Sequence, residues 1–428
     1  MRVLLSSYLV PIRALGERVA ASRRLVWLLV TMSVLASIAV TIGAATGHQI
    51  DFDIYRMGAG HVFGTRLYDT RLSRLLMGGS RGMRFNYPPF AALLFWPFTV
   101  MSVSAGQLIW SVFSLFLLAA LIALSIQAAR PGWPRQRAWA IAGVALLPAL
   151  RLDPALLTLD YGQVNLCITL MVLADLTTRT ALPRGVLTGI AAAVKLTPLV
   201  FIPFLFLTRQ FRAGATALAA FLLCTLGTYV IAPEASRQYW TAGLFETRRS
   251  GNLLYVSNQD LQSALHRISG SAPPVALTAS AVVIFAIAGL VAAATAYHVS
   301  SPVLGIITCA ATGLIISPVS WAHHYVWVVP ALAWLALGED RPSGGPWLAA
   351  LTAILFWVAP IWWVGNPQTG YGGPLTLLAG NSFFLAAVAL VAASAVRAAA
   401  RLRSLRHPSA TEPDASEPVR LPAGDTSS

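Results

Sequence analysis

The 428-residue chain is 57% hydrophobic and only 11% charged, with a mean hydropathy of +0.68. A soluble domain carries about 25% charged residues, so these proportions exclude a soluble enzyme, a disordered chain and a secreted disulfide scaffold and predict a polytopic, all-α membrane protein. The formal charge of +14 comes from 30 basic against 16 acidic residues, but the arginines lie mostly between apolar runs, where membrane topology accounts for them better than nucleic-acid binding does.

The first element is a basic arm, residues 1–24, with five arginines (Arg2, Arg13, Arg18, Arg23, Arg24) against Glu17. The apolar run 25–45 follows. It is too long for a signal-peptide core and reads as a retained first span with the arm on the cytoplasmic side. Residues 46–86 then form a polar loop on the outer face, carrying Asp51, Asp53 and Tyr55 directly after the span. A carboxylate at that boundary stands where a lipid headgroup and a polar acceptor meet and suits a general base; the competing reading is a solvated loop charge.

Further apolar runs follow to residue 396, for about 10–12 membrane segments. Strict alternation places the basic stretch 130–137 outside, against the positive-inside rule. The conflict disappears if 87–103 is a half-helix that dips in and returns to the outer face. The run 185–207 must also fold back, because basic residues flank both its ends. At its centre Lys195-Leu196-Thr197-Pro198 interrupts the helix, as membrane helices do where they line a protected or watery cavity. The reading is therefore about ten full spans plus two re-entrant segments in a membrane domain 25–397. The tail 398–428, basic and then rich in Pro, Ser, Glu and Asp, reads as cytoplasmic and disordered.

Within this frame the polar residues are informative because the membrane must accommodate them. Lys195 is the only lysine of the chain, and an intramembrane cation must be paired or hydrated. A phosphate suits it as a point charge; pairing with Asp175 is the structural alternative. Tyr87-Pro88-Pro89 sets a rigid entry to an apolar run. Gln163 and Asn165 open another, either to bind sugar hydroxyls or to bridge helices. Arg248 and Arg249, in the long outer loop 233–271, can grip a phosphate or lie on a solvated face. Trp321, His323 and His324 close a span on the same side, and Trp362, Trp363, Asn366, Gln368 and Tyr371 suit sugar stacking there. Adjacent histidines face different ways on a helix, and no further ligands have suitable spacing, so no metal site is expected; a divalent ion at Asp51 and Asp53 stays open. The three cysteines, Cys167, Cys224 and Cys309, sit in apolar runs and form neither a disulfide framework nor a zinc set.

Taken in order, Asp51-x-x-Ile54-Tyr55, Leu67-Tyr68-Asp69, Tyr87-Pro88-Pro89, Gly162-Gln163-Val164-Asn165, Gly189 through Lys195-Leu196-Thr197-Pro198, and Ser317-Pro318-Val319-Ser320-Trp321-x-His323-His324-Tyr325 resemble glycosyltransferase family 87. The resemblance implies a GT-C-type helical bundle with a catalytic first outside loop and a polyprenyl-phosphate-mannose donor. It also implies a glycolipid or lipoglycan mannoside acceptor (phosphatidylinositol mannoside, lipomannan or lipoarabinomannan) and inverting α-(1→2) transfer on the outer face without a nucleotide or other cofactor. The loop acid of GT-C enzymes maps onto Asp51, with Asp53 in reserve. Lys195, with an arginine such as Arg248 or Arg249 as helper, would meet the donor phosphate. Tyr55, Tyr87, Gln163, Asn165, Trp321, His323 and His324 would contact donor or acceptor. The rival class is a transporter or flippase for a lipid-linked sugar, which accounts for the span count and the broken helix but predicts paired interruptions in two related halves.

Overall fold

The computed structural model describes residues 23–45, 49–70, 83–243, 255–364 and 373–406. It is helical throughout, with no β-strand among the described residues and one isolated bridge, Asn258 to Trp321. Helix α1 (Arg23–Ala45) starts two residues inside the basic arm. The short α2 (Ile50–Ala59) and α3 (Pro89–Phe95) precede the long α4 (Val103–Ala129). Then come α5 (Arg135–Ala149), α6 (Asp153–Asp160), α7 (Asn165–Thr177), α8 (Val186–Val194), α9 (Phe201–Leu207) and α10 (Phe211–Ile231). The rest are α11 (Pro233–Thr241), α12 (Leu261–Ser269), α13 (Val275–Val299), α14 (Pro302–Ile316), α15 (Val328–Leu337), α16 (Gly345–Val358), α17 (Pro374–Gly380) and α18 (Ser382–Arg406). Five helices, α1, α4, α10, α13 and α18, are long and apolar enough to cross a membrane alone. A bent pair, α5 and α6, turns through 80° and makes a sixth candidate, and the other apolar helices are 10–17 residues long.

Contacts at the helix ends fix the directions. Gln49, just after α1, donates to Ser111 near the start of α4 (2.5 Å), so α1 ends where α4 begins. Segment 89–100, α3 followed by a 3₁₀ turn (Trp96–Val100), therefore leaves and rejoins one end of the bundle, as expected for a half-helix. Ser33 of α1 bonds Val144 and Leu147 of α5, so α1 and α5 run in parallel with α4 antiparallel to both. At the far end Arg130 donates to Leu337 O and pairs with Glu339 at 3.6 Å, while Arg397 bonds Asp340 O and Ser300.

The fold-back of residues 185–207 is visible in how α8 and α9 meet α10. A Cβ on Gly185 would strike Ala213 and Ala217, and one on Gly189 would strike Ala217 and Ala220, so α8 runs parallel to α10. Phe206 of α9 packs on Gly214, so α9 runs the other way. Both ends of the hairpin lie at the far end, and ten residues of climb carry Lys195 about 15 Å inward. Asp175 is not its partner. That carboxylate accepts from Gly185 N (2.9 Å), Thr188 N (3.0 Å) and Thr188 Oγ1 (2.6 Å), capping the start of α8. At the C-terminus α18 continues as helix through Arg406, past residue 397 where the sequence suggested a disordered tail; most of that tail lies outside the described residues.

Candidate active site

The two half-crossings enter from opposite ends and meet. Tyr87, at the entry to α3, presents its ring to Lys195 at the tip of α8, with Nζ 5.5 Å from the ring centroid. Lys195 is extended in backbone (φ −151°, ψ 130°) and ends its helix, so the side chain leaves the hairpin at the break. The ammonium donates to Asn165 Oδ1 (2.9 Å) and to His324 Nε2 (2.8 Å). An ammonium has only donors, so His324 accepts at Nε2 and carries its proton on Nδ1. These partners are neutral, and the charge is held in place without being cancelled.

Asn165 also donates through Nδ2 to His323 O (3.0 Å), and Thr158 donates to the same carbonyl (3.2 Å). The histidine pair therefore hangs on the entry to α7. His323 is buried, and neither of its ring nitrogens has a hydrogen-bond partner among the described residues. Its ring meets Tyr161 edge-on at 5.7 Å.

Asp51 arrives from the other side. Its amide and that of Phe52 both donate to Tyr161 O, at 2.9 and 3.1 Å, which pins the positive end of α2 onto the end of α6. Gly162 makes this approach possible: its φ is +70°, and a Cβ there would lie 2.6 Å from Phe52 Cβ. Burial pushes the Asp51 carboxyl up to about 6, while a hydrogen bond from Gln163 and the charge of Lys195 pull it down. Asp51 and Lys195 thus interact electrostatically.

The structure separates the two candidate acids. Residues i and i+2 of a helix face different ways, and Asp53 accepts from Gln107 of α4 at 3.0 Å, turned from Asp51 toward the body of the bundle. Tyr55 is fully buried; its hydroxyl donates to Gln163 Oε1 (2.9 Å) and its ring stacks on Phe95 (4.5 Å). Gln163 also donates to the Tyr87 hydroxyl at 3.2 Å. Both amides that the sequence offered as sugar ligands are thus engaged with protein, bridging the elements that carry Asp51 and Lys195. Trp362 bonds Asp153 at 2.8 Å, whereas Trp363 is 70% exposed and lies outside the cluster. Arg248, Arg249, Asn366, Gln368 and Tyr371 lie outside the described residues. No group of three or more potential metal ligands occurs among the described residues.

Lys195, Tyr87, Trp321 and His324 line one cavity of about 530 Å³. Away from the cation its walls become apolar, with Leu196, Leu199, Val200, Leu290 and Ile316 drawn from the hairpin, α13 and α14. The site thus joins a fixed cation to an apolar slot, with a buried carboxylate alongside.

The family model described as glycosyltransferase family 87 matches residues 85–318, more than half of the chain. The chain belongs to glycosyltransferase family 87. Among its family relatives is the polyprenol-phosphate-mannose-dependent alpha-(1-2)-phosphatidylinositol mannoside mannosyltransferase of Mycobacterium tuberculosis, 33% identical over 76% of this chain and 78% of the relative. The protein of the same description from Mycolicibacterium smegmatis is 32% identical, over 72% and 73%. A third relative, the polyprenol-phosphate-mannose-dependent alpha-(1-2)-phosphatidylinositol pentamannoside mannosyltransferase of Mycolicibacterium smegmatis, is 30% identical, over 81% and 87%. No solved structure matches the chain significantly. Asp51 lies before the matched family segment, while Lys195, Gln163 and Asn165 lie within it, as does most of the hairpin's surroundings; the histidine pair follows directly after its end.

Two contributors escaped the sequence reading. Tyr68 donates to Tyr87 O (2.9 Å) and holds the ring that faces Lys195. Tyr161 supplies the carbonyl that seats Asp51. Tyr68 sits in the quoted Leu67-Tyr68-Asp69 element and Tyr161 directly precedes Gly162, so both were marked by position, but neither pattern announces a backbone contact.

Proposed function

We propose that the protein transfers mannose from a polyprenyl-phosphate-mannose donor to a mannoside acceptor of the phosphatidylinositol mannoside or lipomannan type, making an α-(1→2) linkage with inversion. The relatives' names supply the donor and the phosphatidylinositol mannoside class of acceptor; the lipomannan class comes from the sequence resemblance. The observation that carries the chemistry is the ammonium of Lys195, held between Asn165 Oδ1 and His324 Nε2 at the head of an apolar slot, with Asp51 in electrostatic reach.

In this reading the donor's prenyl chain lies in the slot and its phosphate meets Lys195. Asp51 accepts the proton of the acceptor hydroxyl, and that oxygen forms a bond to C1 of the donor mannose as the C1–O bond to phosphate breaks. The leaving phosphate keeps the electron pair, and its growing charge is met by a fixed cation in a water-poor site. A β-linked donor becomes an α-linked product in one displacement. A retaining route needs a second carboxylate about 5–5.5 Å from the first across the reacting sugar, and Asp53 is turned toward Gln107 instead. His323, with both ring nitrogens buried, orients the acceptor.

The site end is read as the outer face. The opposite end carries Arg130, Arg135, Arg137, Arg179, Arg184, Arg209, Arg212 and Arg341 in its loops, which the positive-inside rule assigns to the cytoplasm. Labelling of a cysteine placed at Thr65 by a membrane-impermeant reagent in intact cells supports this orientation; labelling only after lysis reverses it.

The central test supplies purified protein in nanodiscs with radiolabelled polyprenyl-phosphate-mannose and a mannoside glycolipid. Labelled acceptor, sensitive to an α-(1→2)-specific mannosidase, supports the reading. Absence of product while labelled donor crosses sealed vesicles would favour the flippase. The step is written without a cofactor, and full activity in EDTA supports that; loss restored by a divalent ion assigns one.

A further inference from the structure

A second group of side chains lies beside the reaction centre and shares Trp321 with the donor cavity. Residues 255–260 pair with the 320–325 segment: Gln259 N donates to Ser320 O (2.7 Å) and Ser320 N to Asn258 Oδ1 (2.8 Å). The pairing places Tyr255 next to Trp321, with ring centroids 6.3 Å apart, and Tyr255 also meets Trp362 at 6.1 Å. The Trp362 indole donates to Asp153 Oδ1 at 2.8 Å. Asp153 is 7% exposed, and its second oxygen is buried with no hydrogen-bond partner among the described residues. Tyr161, whose ring meets His323, lies within electrostatic reach of Asp51, Asp153 and Tyr255. Four chain segments far apart in sequence are thus linked beside His323, from Asp153 through Trp362 and Tyr255 to Trp321, with Tyr161 against the His323 ring.

We propose that Tyr161, Tyr255, Trp321, Trp362 and Asp153 form a binding subsite for a neutral sugar ring of the acceptor, adjoining the mannose that is being extended. The proposal rests on the mannosyl-transfer reading and adds where the acceptor's second ring is held. A carboxylate oxygen can only accept hydrogen bonds, so a buried and unpartnered one calls for a ligand rich in donors, and a sugar presents hydroxyls on every edge. Half-buried aromatic rings supply apolar faces for the C–H sides of the same ligand. Charge selects against the alternative ligand: Asp51, Asp153 and Asp160 all act electrostatically on Tyr161, a setting that repels phosphate, while the cation bonds His324 rather than His323. An interfacial aromatic belt accounts for the rings alone. It does not account for a buried carboxylate bonded to one of them.

The test compares two acceptors in nanodiscs: a single-mannose octyl α-mannoside, which fills only the reacting position, and a dimannoside or longer glycolipid. Loss of a hydrogen bond to a charged group predicts that D153N raises KM for the longer acceptor about tenfold or more, with kcat, donor KM and KM for the monomannoside within threefold of wild type. Y255A, at a side chain 39% exposed and tolerant of change, predicts a several-fold rise on the same acceptor only. The neighbouring W363A, an exposed ring outside this group of contacts, leaves both acceptors unaffected. Equal losses on both acceptors, or an unchanged KM for the longer one in D153N and Y255A, overturn the subsite while leaving mannosyl transfer intact. A wild-type protein that transfers mannose to neither acceptor overturns the parent reading instead, and the subsite with it.

Discussion

The site has two walls of opposite character. One is the tip of a helical hairpin that climbs from the far end of the bundle and delivers a single ammonium between two neutral acceptors. The other is the start of α2, seated on a backbone carbonyl at the end of α6, with carboxylates and aromatic rings around it. Gln163 and Asn165, two residues apart at the entry to α7, connect them: the first amide bonds Tyr55 and Tyr87, the second bonds Lys195 and the backbone of His323. The separation is useful chemically. A fixed cation meets the charge that grows on a leaving phosphate, and an acid wall receives the proton released by an attacking hydroxyl. Mixing the two would pair Lys195 with Asp51 directly and weaken both roles.

Removing the base from the acid wall should have the largest effect. D51N should lower mannosyl transfer by about 10²–10⁴-fold, the range of general-base contributions, with protein level and donor binding retained. Activity near wild type would move the base elsewhere. The same carboxyl sets an acid limb. Burial raises it to about 6, and the deprotonated form does the work, so kcat/KM should rise with pH through a midpoint near 6 and level off above it. A profile flat from pH 5 to 7 would contradict the assignment.

Removing the cation tests the other wall. K195A should cost about a hundredfold or more in kcat, comparable to loss of one transition-state donor, with acceptor KM little changed. An effect confined to acceptor KM would put Lys195 on the wrong substrate. K195R is not expected to restore activity fully, because a planar guanidinium is a poor substitute for a compact ammonium between two defined acceptors.

Much of this was legible in the sequence because a membrane makes polar residues costly. The lone lysine beside a proline-interrupted run marked the hairpin, and the conflict of residues 130–137 with the positive-inside rule marked the half-helix of residues 89–100. The partners of the amides were not legible: Gln163 and Asn165 suit a sugar as well as they suit a protein partner, and their bonds to Tyr55, Tyr87, Lys195 and the His323 carbonyl arise from the convergence of α2, α3 and α8 on the start of α7. Nor was the seat of Asp51, since a backbone carbonyl such as that of Tyr161 carries no residue code. Asp153 and Tyr255 are linked only through Trp362, which is more than a hundred residues from either in sequence, and no local pattern contains that link.

A smaller effect should follow from disturbing the seam that seats the acid wall. Gly162 adopts φ +70° against Phe52, and an alanine there adds left-handed strain and a close contact worth about 1–3 kcal/mol. G162A should lower the melting temperature and reduce kcat several-fold at temperatures where the protein remains folded. Unchanged kcat with a lowered melting temperature would show that the acid wall tolerates movement of its seat.

The smallest effect is expected where the sequence could not choose. Asp53 lies on the same short helix as Asp51, but its carboxylate accepts from Gln107 of α4, and an asparagine can still accept there. D53N should therefore stay within about threefold of wild-type activity, since the charge it removes is not the one that receives the acceptor proton and a part-exposed hydrogen bond contributes about 0.5–1.5 kcal/mol. Measured beside D51N at equal protein level, it asks whether helix geometry or mere proximity to the first span assigns the base. A loss in D53N as deep as that in D51N would mean that the two carboxylates act together, and the division of the site into a single-acid wall and a cationic wall would fail.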